Sequence, residues 1–128
     1  MKTKVTHIGI YTTDLERLKD FYVKYFEAEC NEKYVNSKGF SSYFLTFDSD
    51  VRVEIMANVN LEYHQFNDLE SGMNHLAFSV GTKENVIALT KQLEEDGFTI
   101  ISQPRTTGDG YFESKISDPD GNNIEITE

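Results

Sequence analysis

A single cysteine, few basic side chains and no long apolar run set the first limits on this chain. With Cys30 alone, there is no intrachain disulfide and no cysteine-based zinc site. Cys30 falls just after a helix, where it reads as a small buried hydrophobe and not as a nucleophile, and it is assigned no role. Lysine and arginine number 12 against 22 acidic residues, a net charge of −10. Without a basic cluster, nucleic acid and anionic membrane surfaces are excluded as partners. No segment approaches the ~20 apolar residues that span a bilayer. The start, Met-Lys-Thr-Lys, runs directly into a strand with no signal-peptide hydrophobic region, so a soluble cytoplasmic protein is expected. At 128 residues the chain is the size of one domain, or of two very small modules fused, and buries roughly two thirds of its unfolded surface around one core.

What the sequence does contain is an internal repeat. The first half reads strand (Lys4 to Thr12), helix (about Asp14 to Phe26), then strands near Glu29 to Val35, Phe40 to Asp48 and Val51 to Ala57. The second half repeats that order: strand (Asn74 to Val80), helix (about Lys83 to Asp96), then strands near Thr99 to Gln103, Tyr111 to Ser117 and Asn123 to Thr127. This divides the single domain, 1–128, into a first module at 1–58, a polar linker or site-covering loop at 59–72, and a second module at 73–128. Thr13-Asp14-Leu15-Glu16 fits a capping box. Leu15, Leu18, Phe21, Tyr22, Tyr25 and Phe26 then form an apolar stripe at helical spacing, which is core. Val86, Leu89 and Leu93 recur likewise in the second helix, followed by Gly97 where a left-handed residue is wanted.

Strand alternation sends every second side chain to one face. His7, Gly9 and Tyr11 therefore oppose Ile8 and Ile10, and Arg52, Glu54 and Met56 oppose Val51, Val53 and Ile55. In the second half, His75, Ala77 and Ser79 oppose Leu76, Phe78 and Val80, and Asn123 and Glu125 oppose Ile124 and Ile126. Each half opens on a histidine strand and closes on a glutamate strand, and each polar residue stands opposite an apolar face that packs on a helix. A lone strand histidine is usually a hydrogen-bonded structural residue, but four such groups in register point to a site. His7, Glu54, His75 and Glu125 make a mixed N/O set suited to a divalent ion, Ni or Zn foremost and Fe, Mn or Co as alternatives, with one or two positions left for water or substrate. The competing reading is two ordinary ion pairs, His7 with Glu54 and His75 with Glu125, which predicts no metal affinity.

Thr6-His7-Ile8-Gly9-Ile10 ahead of Asp20-Phe21-Tyr22, then Asn74-His75-Leu76-Ala77-Phe78-Ser79-Val80, then Asp118-Pro119-Asp120-Gly121-Asn122-Asn123-Ile124-Glu125-Ile126 resemble the vicinal-oxygen-chelate (VOC) superfamily over nearly the whole chain. That superfamily includes glyoxalase I, extradiol dioxygenases, fosfomycin-resistance thiol transferases and bleomycin-binding proteins. The resemblance implies an α+β fold of two βαβββ modules, forming an open, mostly antiparallel eight-stranded barrel. It also implies a homodimer with the site at a subunit or module interface. In the glyoxalase I arrangement, His7 and Glu54 of one chain join His75 and Glu125 of the other.

The ligand set separates the branches. Three ligands, His7, His75 and Glu125, suffice for a dioxygenase or a thiol transferase, and Glu54 is the fourth expected of a glyoxalase I-like site. The leading expectation is a metal-dependent lyase or isomerase acting on a small α-hydroxycarbonyl compound or hemithioacetal. The ion is the Lewis acid and Glu125 or Glu54 the catalytic base. The alternatives are a metal-dependent thiol transferase, an extradiol-type dioxygenase, or a metal-free binder of the bleomycin-resistance type. For substrate binding, Asn58 falls where glyoxalase I has a glutathione-contacting asparagine. Tyr11 stands where it has an arginine for a glutathione carboxylate, and a phenol carries no positive charge, which points to another thiol, a non-thiol α-hydroxycarbonyl compound or an α-keto acid. Arg52 either holds an anionic substrate group or pairs with a neighbouring acid. Thr107 to Tyr111 reads as a hairpin loop or a lid, His64 as a surface residue, and Tyr43, Phe44, Phe47, Tyr63 and Phe66 as core or as the lining of an apolar pocket.

Overall fold

Asp14 sets the start of the first helix. Its backbone is extended and its side chain accepts the Arg17 N–H at 3.1 Å, while the Thr12 hydroxyl accepts the Asp14 N–H at 3.0 Å and fixes the approach. The capping box expected on Thr13 is thereby corrected by one residue, and Glu16 turns instead to the Tyr43 hydroxyl and the Lys19 ammonium. At the other end the helix closes on Glu27, in the left-handed conformation at φ 55°. The second helix starts on Thr82, whose hydroxyl accepts the Asn85 N–H. It ends on Gly97 at φ +91°, where Gly97 N–H reaches the Glu94 carbonyl and Phe98 N–H the Leu93 carbonyl. This is a Schellman closure that needs a residue without Cβ.

The structure, a computed structural model, describes residues 1–128 as two compact units, Met1–His64 and Gln65–Glu128. The first comprises β1 (His7–Tyr11), α1 (Leu15–Phe26), β2 (Glu29–Cys30), β3 (Tyr34–Val35), β4 (Phe40–Thr46) and β5 (Arg52–Asn58). Its sheet runs β1-β5-β4-β2, with β3 also on β4, and β1 lies parallel to β5. The second comprises β6 (Leu76–Ser79), α2 (Lys83–Glu95), β7 (Ile100–Thr106), β8 (Phe112–Ser117) and β9 (Asn123–Thr127). Its sheet runs β6-β9-β8-β7, with β6 parallel to β9. Two helices over two mixed sheets make an α+β fold, and neither helix is long and apolar enough to cross a membrane.

Alternation does the burying. In β5, Val53 and Ile55 are sealed against α1 together with Leu45 of β4, while Glu54 between them faces the other way. Leu18, Tyr22, Leu45 and Ile55 are essentially inaccessible, and each such side chain contributes roughly 1.5–3 kcal/mol. In the second unit α2 packs on β7, β8 and β9, through Val86, Thr90 and Leu93 above Ile116, Ile124 and Ile126. Thr90 is buried at the centre of that contact, with the expected Leu89 half-buried beside it. Its hydroxyl donates to the Val86 carbonyl at 2.6 Å and accepts from Ser114 at 2.6 Å, so both buried hydroxyls are satisfied.

The strand expected from Lys4 to Thr12 is the shorter β1, and the one expected near Thr99 to Gln103 runs on to Thr106 in β7; two others differ in more telling ways. The strand near Glu29 to Val35 is split into β2 and β3, because the Asn31 carboxamide accepts the Phe44 N–H at 2.8 Å and so takes a place that the backbone ladder would fill. The strand expected from Asn74 starts at Leu76, where pairing with β9 begins, leaving His75 one residue ahead of it. Pro104 lies in β7, an edge strand, among register shifts in the β7–β8 pairing, the place where a missing N–H is tolerated.

Candidate metal centre

In both units the histidine strand and the glutamate strand are parallel neighbours. Glu54 lies opposite Gly9, two residues beyond His7. Glu125 lies opposite Ala77, two residues beyond His75. Each unit thus brings one imidazole and one carboxylate to the sheet face away from its helix, next to a residue with little or no side chain.

In the first unit, His7 and Arg52 share this face with Phe44. The His7 ring meets Phe44 edge-on at 5.4 Å between centroids, and the Arg52 guanidinium lies over the same ring at 4.4 Å. The partner of Arg52 is therefore an aromatic ring and not the acid expected for an ion pair, a contact worth about 0.5–1 kcal/mol at an exposed position. The His7 Nδ1 lies 2.9 Å from the Thr6 hydroxyl. Tyr11 is exposed on the same face. Asn58 closes β5 with its carboxamide oxygen accepting the Asn60 N–H at 2.9 Å, so that oxygen serves a turn.

In the second unit the donors touch, with His75 Nε2 3.2 Å from Glu125 Oε2. The turn that delivers Glu125 is organised by Asp118, whose carboxylate accepts the N–H groups of Asp120 and Asn122 and the Asn122 side chain, each at 2.9 Å. Gly121 closes it at φ +86°. Around the pair stand residues to which the sequence patterns gave no site role. Asn74 Oδ1 lies 2.8 Å from His75 Nδ1. Asp68 meets the Asn74 side chain and accepts from Lys115 and Asn123 at 3.1 and 2.7 Å. Those contacts, the Asn74 hydrogen bond first, hold the Asp68 carboxyl below the usual carboxylate range. On β8, burial and then the nearby carboxylate of Glu125 push the Glu113 carboxyl up. Glu113 and Lys115 are within reach of alternation, since Ser114 between them and Ile116 after them are buried. Asp68 sits in an irregular segment that carries no periodic signal.

Other expected features take quieter places. Thr107 to Tyr111 is a closed hairpin loop between β7 and β8, with Thr107 N–H on the Tyr111 carbonyl and the Thr107 hydroxyl on Asp109. His64 is exposed. Tyr43 pairs with Ile55 in register and so lies on the α1 side, away from His7 and Glu54. There, with Lys19, Cys30 and Lys33, it lines an open cleft of about 470 Å³. Burial pushes the Cys30 thiol up.

As a donor set, an imidazole nitrogen and a carboxylate oxygen on one open face suit a borderline divalent ion. Each unit supplies two such donors, and the chain gathers no group of three or more His, Cys, Asp or Glu side chains placed to hold a metal. The chemistry of each pair fits such an ion.

Known proteins agree with this architecture. A probable trivalent organoarsenical cleaving enzyme of Bacillus subtilis (strain 168) is 29% identical over 127 residues, covering 96% of this chain and 78% of that protein. Among solved structures, a glyoxylase/bleomycin resistance protein/dioxygenase domain from Frankia sp. EAN1pec superposes with a TM-score of 0.84 at 15% identity, over 99% of this chain and 98% of that one. Glyoxalase I from Zea mays superposes with a TM-score of 0.80 at 22% identity, over 97% of this chain. The present chain spans 44% of the maize chain. At these identities the two structural likenesses establish the fold. Residues 4–126 match the Glyoxalase/Bleomycin resistance protein/Dioxygenase superfamily, whose members typically bind divalent metals and small molecules, and the chain belongs to that superfamily.

Proposed function

We propose that this protein is a glyoxalase I-like lyase or isomerase in which His7, Glu54, His75 and Glu125 hold one divalent ion, Ni or Zn foremost. The observation that carries the reading is the repeated half-site: in both units a histidine and a glutamate stand two residues apart across parallel strands, on the open face, beside Gly9 or Ala77. Two isolated ion pairs have no need of a small residue beside each carboxylate. In a homodimer, His7 and Glu54 of one protomer complete the pair His75 and Glu125 of the other.

A bound ion would supply Lewis acidity toward the oxygens of an α-hydroxycarbonyl compound or hemithioacetal. The chain supplies the rest. Glu125, beside the imidazole and the raised carboxyl of Glu113, takes a proton from the carbon next to the carbonyl and returns it to the neighbouring carbon. Glu54 holds the equivalent position in the first unit. Phe44 and Tyr11 offer apolar surface on the His7 face. Arg52, already stacked on Phe44, offers its guanidinium to an anionic substrate group.

Cleavage of a trivalent organoarsenical, suggested by the Bacillus subtilis relative's name, calls for soft donors. The one cysteine, Cys30, lies on the helix side of the first sheet with its thiol pushed up, so the His and Glu face favours the first reading.

Calorimetric titration of metal-stripped protein with Ni²⁺ and Zn²⁺ tests it. One ion per chain, followed by turnover of a hemithioacetal or hydroxycarbonyl compound, supports the reading. Glu54→Gln should lower both affinity and turnover. Tolerance of that change points to a three-ligand thiol transferase or dioxygenase. No ion binding by folded protein leaves a metal-free small-molecule binder.

A further inference from the structure

We propose that Asp68 and Asn74 form a positioning relay that fixes the His75 ring and presents its Nε2 to the ion, an inference that rests on the metal-dependent reading above. The argument is one of donors and acceptors. Asn74 Nδ2 lies 3.1 Å from the Asp68 backbone carbonyl and 3.0 Å from Asp68 Oδ1. Both are acceptors, so only the amino end of the carboxamide can face them. The carboxamide oxygen is then committed to the other side, where it lies 2.8 Å from His75 Nδ1. An oxygen at that position calls for a hydrogen on Nδ1, which leaves the lone pair on Nε2.

On its far edge the same ring meets a second acceptor, Glu125 Oε2, 3.2 Å from Nε2. A neutral imidazole has one N–H and cannot satisfy both sides. With Nδ1–H given to Asn74, the Nε2 lone pair and the carboxylate face one another across 3.2 Å, where a divalent ion bound by both would replace the second proton of an imidazolium. Asp68 is itself tied to the sheet, accepting from Lys115 Nζ of β8 and Asn123 Nδ2 of β9, so the relay runs from the sheet through the irregular segment back to the ring. The first unit has no counterpart. There His7 Nδ1 meets the Thr6 hydroxyl, which both donates and accepts and fixes neither tautomer. His75 is the preorganised ligand of the two.

The test uses the full chain with ¹⁵N-labelled histidine, loaded with Zn²⁺, reading Zn²⁺ affinity by calorimetry and the His75 ring nitrogens by NMR. In the unsubstituted protein His75 should carry a slowly exchanging proton on Nδ1. Asn74→Leu should weaken Zn²⁺ binding by about 10- to 100-fold, the range for loss of an outer-shell partner, and abolish the protected Nδ1 proton. Unchanged affinity and an unchanged Nδ1 signal in Asn74→Leu would overturn the relay. Should Asn74→Leu not fold, Asp68→Ala serves, with weakened binding and faster Nδ1–H exchange expected and no change overturning the proposal. If the unsubstituted protein binds no Zn²⁺, the functional reading itself fails and takes the relay with it; equal binding by protein and variants removes the relay alone.

Discussion

Gly9 lies directly across from Glu54 in the parallel pairing of β1 with β5. Ala77 stands in the same relation to Glu125, so a small residue beside each carboxylate is a shared feature of the two proposed half-sites. A Cβ added at Gly9 would come within 2.9 Å of the terminal methyl of Met56, the free end of a flexible side chain. Gly9→Ala is therefore expected to cost less than about 1.5 kcal/mol and to leave ion binding nearly intact. Gly9→Leu, with its branch beside the Glu54 carboxylate, should weaken binding about tenfold, as disturbed support of a ligand does, with a similar melting temperature. Thermal unfolding and calorimetry on the two variants check this.

The left-handed Glu27 that ends α1 is the one non-glycine residue with positive φ. Holding such a residue there costs about 1–2 kcal/mol, part of which glycine returns through its freer unfolded chain. Glu27→Gly should thus stabilise the protein by about 0.5–1 kcal/mol, a rise of about 2–5 °C in Tm. A fall in Tm in a thermal scan would contradict this account of the helix end.

Thr90 and Ser114 satisfy one another in the second core. Thr90→Val leaves the Ser114 hydroxyl buried without that partner and should cost about 1–3 kcal/mol. Adding Ser114→Ala removes the orphan, so the double variant should be less destabilised than the sum of the two single ones. Denaturant unfolding of all four proteins measures the coupling.

Glu16 is held below the usual carboxylate range, first by the Tyr43 hydroxyl and then by Lys19. A carboxyl lowered in the folded state stabilises the fold above its unfolded pKa, and that contribution is lost as pH falls through the folded value. Tyr43→Phe should move the Glu16 midpoint upward, toward the ordinary glutamate value, in a carboxyl ¹³C titration. The stability difference between the two proteins should be small, because Glu16 is half exposed, and should shrink further below the folded pKa. An unmoved midpoint would show that Lys19 and Lys33 alone hold the carboxylate.

Much of the architecture is legible in the amino-acid sequence. The alternation of Val53 and Ile55 around Glu54, and of Ile124 and Ile126 around Glu125, announces which face each carboxylate takes, since the strand period is fixed by backbone geometry. The stripe of α1 and the glycine that ends α2 are local in the same sense. The legibility stops where a side chain replaces a backbone partner: Asn31 breaks one strand in two, and Thr12 moves the helix cap to Asp14.

The two-fold repeat, the α+β class and the faces taken by His7, Glu54, His75 and Glu125 are written in local sequence, because apolar period, turn residues and capping chemistry act over a few neighbouring positions. Which strands lie side by side, and hence that each histidine stands two residues from its glutamate across a parallel pair, came from long-range pairing. The tertiary structure alone brought Asp68 to Asn74, Lys115 and Asn123, and Glu113 to Glu125. Hydrogen bonds between residues far apart in the chain depend on strand register and on the path of an irregular segment, and neither leaves a periodic trace in the sequence.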